Sequence, residues 1–373
     1  MRIGILTITP NIGFGGIMQT FALKYFIEDL THAEVFVINK KRNLSTKNRI
    51  SFFFKSLYKL LFRHEFVKFT INGDYNYRSK NVRIFHDRYL NMTTEVHSSS
   101  ELFKLINKNF DVVIVGSDQV WRPKYVQKIN DYYLEGADAK IKKIAYAASF
   151  GVDNWEYNEK ETKICRKLIK NFSYVSVREK SGIKLAEKHF GISPNYDLDP
   201  TLLLTVSAYT KLFNTNGITK RGYVFAYILD PSKDKTKTIE LVSNILDKEV
   251  ISFNTKAESK KSPLKESVAP PVEEWLISIY NSEYVVTDSF HGCVFSIIFN
   301  KPFMVYGNAN RGIERFKSLF ALLRLSNRLI LNSSMVNEKV VMEAIDWSNI
   351  NNFLKIERNN IKTRLKSFLF EHE

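Results

Sequence analysis

The sequence predicts an α/β protein with two domains facing each other across a cleft and helices at the C-terminus. Continuous apolar strands alternate with helices, which is the signature of parallel sheets covered on both faces. The alternation starts a second time near residue 223, after the DLDP break at 197–200. At 373 residues the chain is long enough for two separate cores.

In the first series, residues 2–7 read as a buried strand, 11–16 (NIGFGG) as a glycine-rich turn and 17–30 as a helix. Residues 35–39 form the next strand, and 111–116 (DVVIVG), 143–148 and 174–177 the following ones. Helices at 156–171 and 179–190 separate or follow them. The second series opens with YVFAYIL, continues through a helix to about residue 248 and the strand VISFN, and passes through a polar loop at 255–267. Pro270 and Pro271 start a helix, where proline is tolerated in the first turn. A strand at Tyr284, a helix opening at His291, a strand at 302–306 and a helix from Ile313 complete it. Residues 347–370 read as one or two helices. The expected division is 1–198, with a basic helical insertion at 40–90, then 199–345, then C-terminal helices at 346–373.

An apolar fraction of 44% with 28 Phe and 18 Tyr describes a folded chain. Cys165 and Cys293 lie far apart and fit neither a disulfide framework nor a zinc site. The chain enters a strand at once, with no charged and then apolar leader, and no apolar run approaches the ~18 residues of a membrane span. A cytoplasmic protein is expected. The net charge of +16 is uneven: between Lys40 and Arg88 thirteen basic residues face three acids. Within that stretch residues 50–69 read as an amphipathic helix. Lys55, Lys59 and Arg63 share one face, and Phe53, Phe54, Leu57, Leu60, Leu61 and Phe62 cover much of the rest. That pattern suits peripheral attachment to an anionic membrane surface; an ordinary helix with a solvated basic face is the alternative. No motif for nucleic-acid recognition is present.

Polar residues gather where strands end, which is where open α/β sheets bind ligands. His291, between the strand YVVT and its helix, can exchange a proton near neutral pH, or cap the helix or fill a gap. Gly15 and its neighbours in NIGFGG let backbone N–H groups approach a ligand, or make a tight turn. In GSDQVW, Asp118 can cap a helix, act as a base or bind a hydroxyl, and Trp121 can face a sugar ring or fill the core. The small residues of YAASFG, Ser149 among them, allow close approach to the backbone. Arg178 ends its strand and is suited to clamp a phosphate or carboxylate, or to pair with a nearby acid. Arg311 and Arg315, four apart in NRGIERF, share a helix face. Arg178, His291 and these two arginines are expected to hold a small, highly charged anion. No cluster has metal-ligand spacing, and no hydrolase nucleophile pattern is present.

Taken in order, GSDQVW, YAASFG, SVREKSG, DPTLLL and TDSFHG resemble the polysaccharide pyruvyl transferase family. The likeness extends from NIGFGG and the MQTFAL helix to NRGIERF. It implies two Rossmann-like domains with an interdomain cleft, as in GT-B glycosyltransferases. It also implies transfer of pyruvate from phosphoenolpyruvate to a sugar of a surface polysaccharide or its lipid-linked precursor, forming a cyclic ketal. Phosphoenolpyruvate would be a co-substrate, with no other cofactor and no metal, and a polyprenyl-diphosphate-linked oligosaccharide the partner. In that scheme His291 is the acid and Asp118 the base. Donor contacts fall to Arg178, Arg315, Ser289, Gly292 and Asn310, and acceptor contacts to Asn11, Gly15, Gln119, Trp121 and Ser149. One position departs from the pattern: many members carry Arg two residues before the motif histidine, where this chain has Ser289. A sugar-nucleotide glycosyltransferase of similar fold and a non-catalytic anion- or lipid-binding protein are the competing readings.

Overall fold

The computed structural model describes residues 1–9, 13–41, 77–213, 221–253, 267–307 and 313–370. Asn11, Asn310, Arg311, the expected basic helix at 50–69 and nearly all of the expected loop at 255–267 lie outside the described residues.

Two parallel sheets carry the fold. The first contains β1 (Arg2–Leu6), β2 (Glu34–Val37), β3 (Val112–Val115), β4 (Lys142–Ala148), β5 (Tyr174–Val177) and β6 (Asn195–Tyr196), in the order β2-β1-β3-β4-β5-β6. The second contains β7 (Val224–Tyr227), β8 (Val250–Ser252), β9 (Tyr284–Thr287), β10 (Phe303–Tyr306) and β11 (Leu329–Ile330), in the order β11-β10-β9-β7-β8. Both sheets wind alike: the first strand pairs with the second on one side and the third on the other. Each therefore has a topological switch point, at β1/β3 and at β7/β9, where a crevice opens at the strands' carboxyl ends. The central strands β3, β7 and β9 are buried along their whole length, which is why they read as unbroken apolar runs.

The helices are, in order, α1 (Phe14–Thr31), α2 (Lys80–Tyr89), α3 (Ser99–Asn109), α4 (Glu159–Ile169), α5 (Lys180–Phe190), α6 (Val206–Thr210), α7 (Lys233–Leu246), α8 (Val272–Asn281), α9 (Phe290–Ile298), α10 (Ile313–Leu323), α11 (Glu338–Met342) and α12 (Trp347–Phe370). Several start at side-chain caps: Ser98 for α3, Ser232 for α7, and Asn158 with Glu161 in a capping box for α4. α1 begins earlier than its sequence pattern indicates. Gly15 and Gly16, expected in a turn, occupy its first turn.

α1 is buried nearly all round, because it lies between the two halves. Phe14 at its start stacks on Trp275 of α8, with ring centroids 5.5 Å apart and planes 8° from parallel. Its other end packs in the same core as β2 and α12. The tail forms one helix, α12, which returns to the first sheet. Phe368 meets Tyr174 at 5.0 Å, and Arg364 pairs with buried Asp197 at 2.7 Å. The DLDP stretch is buried: Asp197 and Asp199 are within the structure, and a short 3-10 helix, Pro200–Leu203, follows. No helix of the described residues is long and apolar enough to cross a membrane.

Candidate active site

The site lies where the carboxyl edges of the two sheets meet. Among the described residues it is formed by the first turn of α1, Asp118 after β3, Arg178 after β5, Asp199 after β6, Ser289 and His291 after β9, and Arg315 of α10.

Asp199 is at its centre. Its Oδ1 accepts hydrogen bonds from the Thr201 backbone N–H at 3.0 Å and the Thr201 hydroxyl at 2.6 Å, so the carboxylate is held by its own turn. Its Oδ2 faces three donors from three elements. Gln19 Nε2 of α1 is 2.7 Å away, Arg178 Nη1 at the end of β5 is 2.6 Å away, and His291 Nε2 of α9 is 3.5 Å away. The first two are hydrogen bonds; the last is an ion-pair distance too long for a good one. Burial would raise the Asp199 carboxyl. The charges of His291 and Arg178, with the Thr201 hydroxyl, outweigh it and hold the group well below the usual carboxylate range.

Arg178 is buried, and burial opposes its charge, but Asp199, Glu179 and Asp118 together raise its pKa. Its Nε and Nη2 have no hydrogen-bond partner among the described residues. Arg315 of α10 lies nearby, and the two guanidinium groups flank one ring: Arg178 Cζ is 5.4 Å and Arg315 Cζ 5.1 Å from the Phe290 centroid. Burial and then the charge of Arg178 pull the Arg315 guanidinium down to about 10, so it remains protonated at neutral pH. Phe290 is the shared face that lets two like charges sit close, each attracted to the ring.

His291 is nearly buried, and its ring stands edge-on to Phe290 at 5.3 Å. Gly15 makes room for it, since a β-carbon at that position would stand 2.1 Å from Nδ1. Asp118, after β3, faces the start of α1: its Oδ2 would be 3.7 Å from a β-carbon on Gly16. Residues 117–121 make a turn and no helix, so Asp118 has no helix to cap and its Oδ1 accepts from the Gln119 N–H at 2.8 Å. A cavity of about 130 Å³ opens among Gly15, Asp288, Ser289, His291 and Arg315, with Tyr227 at its back. Among the described residues no group of three or more His, Cys, Asp or Glu could hold a metal ion.

The residues singled out from the sequence divide clearly. His291, Arg178, Arg315, Asp118 and Gly15 come together. Four others are occupied elsewhere, for physical reasons. Trp121 is 0% exposed, stacked on Tyr133 at 5.2 Å and tilted against Phe150, so it presents no face to a sugar. Ser149 donates its hydroxyl to Glu179 Oε1 at 3.0 Å. Gln119 accepts from Arg122 Nη1 at 3.2 Å and packs where only a glycine, Gly151, leaves space. Gly292 is a packing glycine whose N–H goes to the Ser289 hydroxyl at 3.3 Å; a β-carbon there would meet Thr287 Oγ1 at 2.6 Å. Ser289 itself lines the cavity while its hydroxyl caps α9. Asn11 and Asn310 lie outside the described residues.

Three functional candidates escaped the sequence reading: Asp199, Gln19 and Glu179. Glu179 is buried, and its Oε1 accepts from Ser149 Oγ and from the N–H groups of Phe150 (2.8 Å) and Gly151 (3.2 Å), which fixes the loop after β4. Each of the three falls in a stretch that carries the family resemblance, Gln19 in MQTFAL, Glu179 in SVREKSG and Asp199 in DPTLLL, but none was given a role.

The family model for polysaccharide pyruvyl transferase matches residues 11–310, more than half of the chain. The chain belongs to the polysaccharide pyruvyl transferase family. Arg315 and Phe316 lie beyond the matched span. No curated protein matches the chain. Among solved structures, the chain is similar to the UDP-GlcNAc 2-epimerase of Neisseria meningitidis bound to UDP-GlcNAc. That likeness has a TM-score of 0.50 and 10% identity over 100% of both chains. It is also similar to the S. aureus MnaA–UDP complex, with a TM-score of 0.53 and 13% identity over 99% of this chain and 97% of that one. At such identities the likeness shows the fold alone: two α/β domains across a cleft, in the GT-B arrangement expected from the family resemblance.

Proposed function

We propose that this family member transfers pyruvate from phosphoenolpyruvate to a sugar of a surface polysaccharide or its lipid-linked precursor and closes a cyclic ketal. One observation carries the reading: an arginine from the first sheet and a histidine from the second meet at the same carboxylate oxygen of Asp199, with a second arginine across Phe290. Phosphoenolpyruvate carries a phosphate and a carboxylate, and Arg178 with Arg315 offers two cationic partners for it. The cavity of about 130 Å³ lined by His291 and Arg315 suits a donor of few atoms.

In this scheme His291 delivers a proton to C3 of the enol, and C2 becomes electrophilic. An acceptor hydroxyl attacks C2 and loses its proton to Asp118. The C2–O bond to phosphate breaks, and the arginines hold the departing charge. A second hydroxyl of the same sugar then attacks C2, gives its proton to His291 and closes the ring, while the proton held by Asp118 leaves with the phosphate. The net change is one phosphate released and one ketal formed, and the scheme calls for no metal and no further cofactor. Ser289 stands where many relatives have Arg, so anion binding rests on Arg178 and Arg315.

The acceptor side is expected to open towards Gly15 and Asp118. A polyprenyl-diphosphate-linked oligosaccharide would meet the enzyme at the cytoplasmic face of the membrane, where the basic segment 40–90 provides attraction to anionic lipid. The test is incubation with phosphoenolpyruvate and a panel of lipid-linked saccharides, followed by mass spectrometry and a phosphate assay. The expected result is a ketal-bearing saccharide with equimolar phosphate, lost in His291→Ala. Release of a nucleoside diphosphate from sugar nucleotides, with no use of phosphoenolpyruvate, would instead identify a glycosyltransferase.

A further inference from the structure

We infer that Asp199 is a positioning residue that sets donor affinity and turnover in opposite directions. The inference rests on the pyruvyl-transfer reading for the reaction it serves. Asp199 Oδ1 accepts two hydrogen bonds from Thr201, and Pro200 restricts the backbone of the residue before it, so the turn holds the carboxylate in one orientation. Oδ2 is thereby presented to Arg178, Gln19 and His291 at 2.6, 2.7 and 3.5 Å.

The consequences for the two charged partners differ. Arg178 spends one nitrogen on Asp199, and this internal anion competes with an incoming phosphate or carboxylate for the same cation. His291, when protonated, has Asp199 as its counter-ion and its guide. Asp118 and Glu179 add negative charge to the same neighbourhood, and Arg315 adds positive charge, so the site is close to balanced before a ligand arrives. Removing the Asp199 charge leaves the site more cationic. Anions then bind more tightly, while the imidazolium loses its partner and the proton is delivered less well. A residue that merely supports the fold would weaken both functions together.

The experiment compares the wild type with Asp199→Asn, which keeps the shape of the side chain and an oxygen for Thr201. Binding of inorganic phosphate and of phosphoenolpyruvate is measured by calorimetry, turnover by phosphate release with a saccharide acceptor, and folding by thermal melting. Phosphate affinity in Asp199→Asn is expected to rise at least about tenfold, in the direction set by removing one unit of negative charge beside the bound anion. Its kcat is expected to fall about 100-fold, as for a misaligned catalytic group. Weaker phosphate binding in the variant, no phosphate binding by either protein, or affinity and kcat falling in parallel overturns the inference. Gln19→Leu is the second arm, because it removes a neutral contact to Oδ2 and leaves the charge. Its phosphate affinity should stay within about twofold and its kcat fall about tenfold. An unchanged kcat counts against the positioning role even if Asp199→Asn fails to fold. A wild type that binds phosphate and makes no ketal overturns the pyruvyl-transfer reading alone, since the phosphate arm still decides the electrostatic role of Asp199.

Discussion

Gly15 of the first half is pressed against His291 of the second: a β-carbon on Gly15 would stand 2.1 Å from the imidazole Nδ1. The absence of a side chain at residue 15 is thus what seats the histidine, 276 positions away in the sequence. Gly15→Ala should fold, since alanine is favoured over glycine in a helix by about 1 kcal/mol and residue 15 is helical. It should lose turnover about 100-fold because the ring is displaced by an ångström or more. Steady-state kinetics beside a melting curve checks this; normal turnover would place the productive imidazole elsewhere.

Arg178→Ala leaves the Asp199 charge buried beside His291 and Gln19 without its nearest cation. The expected cost is about 3–5 kcal/mol of stability, with a raised Michaelis constant for phosphoenolpyruvate. Asp199 has a folded-state pKa depressed below its unfolded value. Its contribution is therefore complete above the ordinary carboxylate range and is lost as pH falls from about 4. The gap in melting temperature between wild type and Arg178→Ala should accordingly narrow below about pH 4. Melting curves at pH 7, 5 and 3 measure it, and a constant gap would contradict the ion-pair account.

His86 on α2 is buried, and its Nε2 has no hydrogen-bond partner among the described residues. Burial, then the charge of Lys41, against a small opposing effect of Asp87, lowers its pKa to about 4. The unfolded chain therefore binds a proton that the folded chain refuses. Stability is full above about pH 6.5 and falls as pH drops towards 4, by about 3 kcal/mol from this group. His86→Gln should show a shallower loss over that interval in chemical denaturation. Equal slopes in the two proteins would refute the assignment.

The turn that carries Asp199 is fastened from behind by α12. Arg358 donates to the carbonyls of Leu202 (2.6 Å) and Leu204 (3.0 Å), far from any substrate contact. Arg358→Met should cost about 1.5–3 kcal/mol, as for hydrogen bonds to a charged group, and also lower kcat. Denaturant unfolding and turnover at a temperature well below melting separate the two effects. Full kcat in a destabilised protein would mean that the strap supports the fold only.

Flotation with liposomes tests the proposed membrane attraction of the basic segment. Recovery with anionic vesicles should exceed recovery with neutral ones and fall with added salt. The triple change of Lys55, Lys59 and Arg63 to Glu should abolish it. Equal recovery from both kinds of vesicle, or none, would count against the membrane role of this segment.

Much of the fold was legible because it rests on local patterns. Val112–Val115 and Tyr284–Thr287 are apolar at every position or nearly so, and each is a central strand buried on both faces. Ser289 at the end of β9 marks the start of α9 through a cap that acts over three residues. The turn read into NIGFGG was less accurate. Glycine weakens a helix in isolation, but here the helix is held by packing on both sides and so extends through Gly15 and Gly16. Trp121 misled for a related reason: a large aromatic beside a polar turn looks the same in sequence whether its ring faces solvent or the core, and Tyr133 decided that it faces the core.

By itself, the order of residues determined the parallel α/β alternation, the strand-edge placement of Asp118, Arg178 and His291, and the family resemblance, because each depends on neighbours a few positions apart. Only the tertiary structure decided that Asp199 joins Arg178, Gln19 and His291, and that Gly15 and not a turn seats the imidazole. Those groups are 21, 180 and 92 positions from Asp199, in that sense invisible to any local pattern, and they meet because two separately wound sheets place their carboxyl edges against one buried turn.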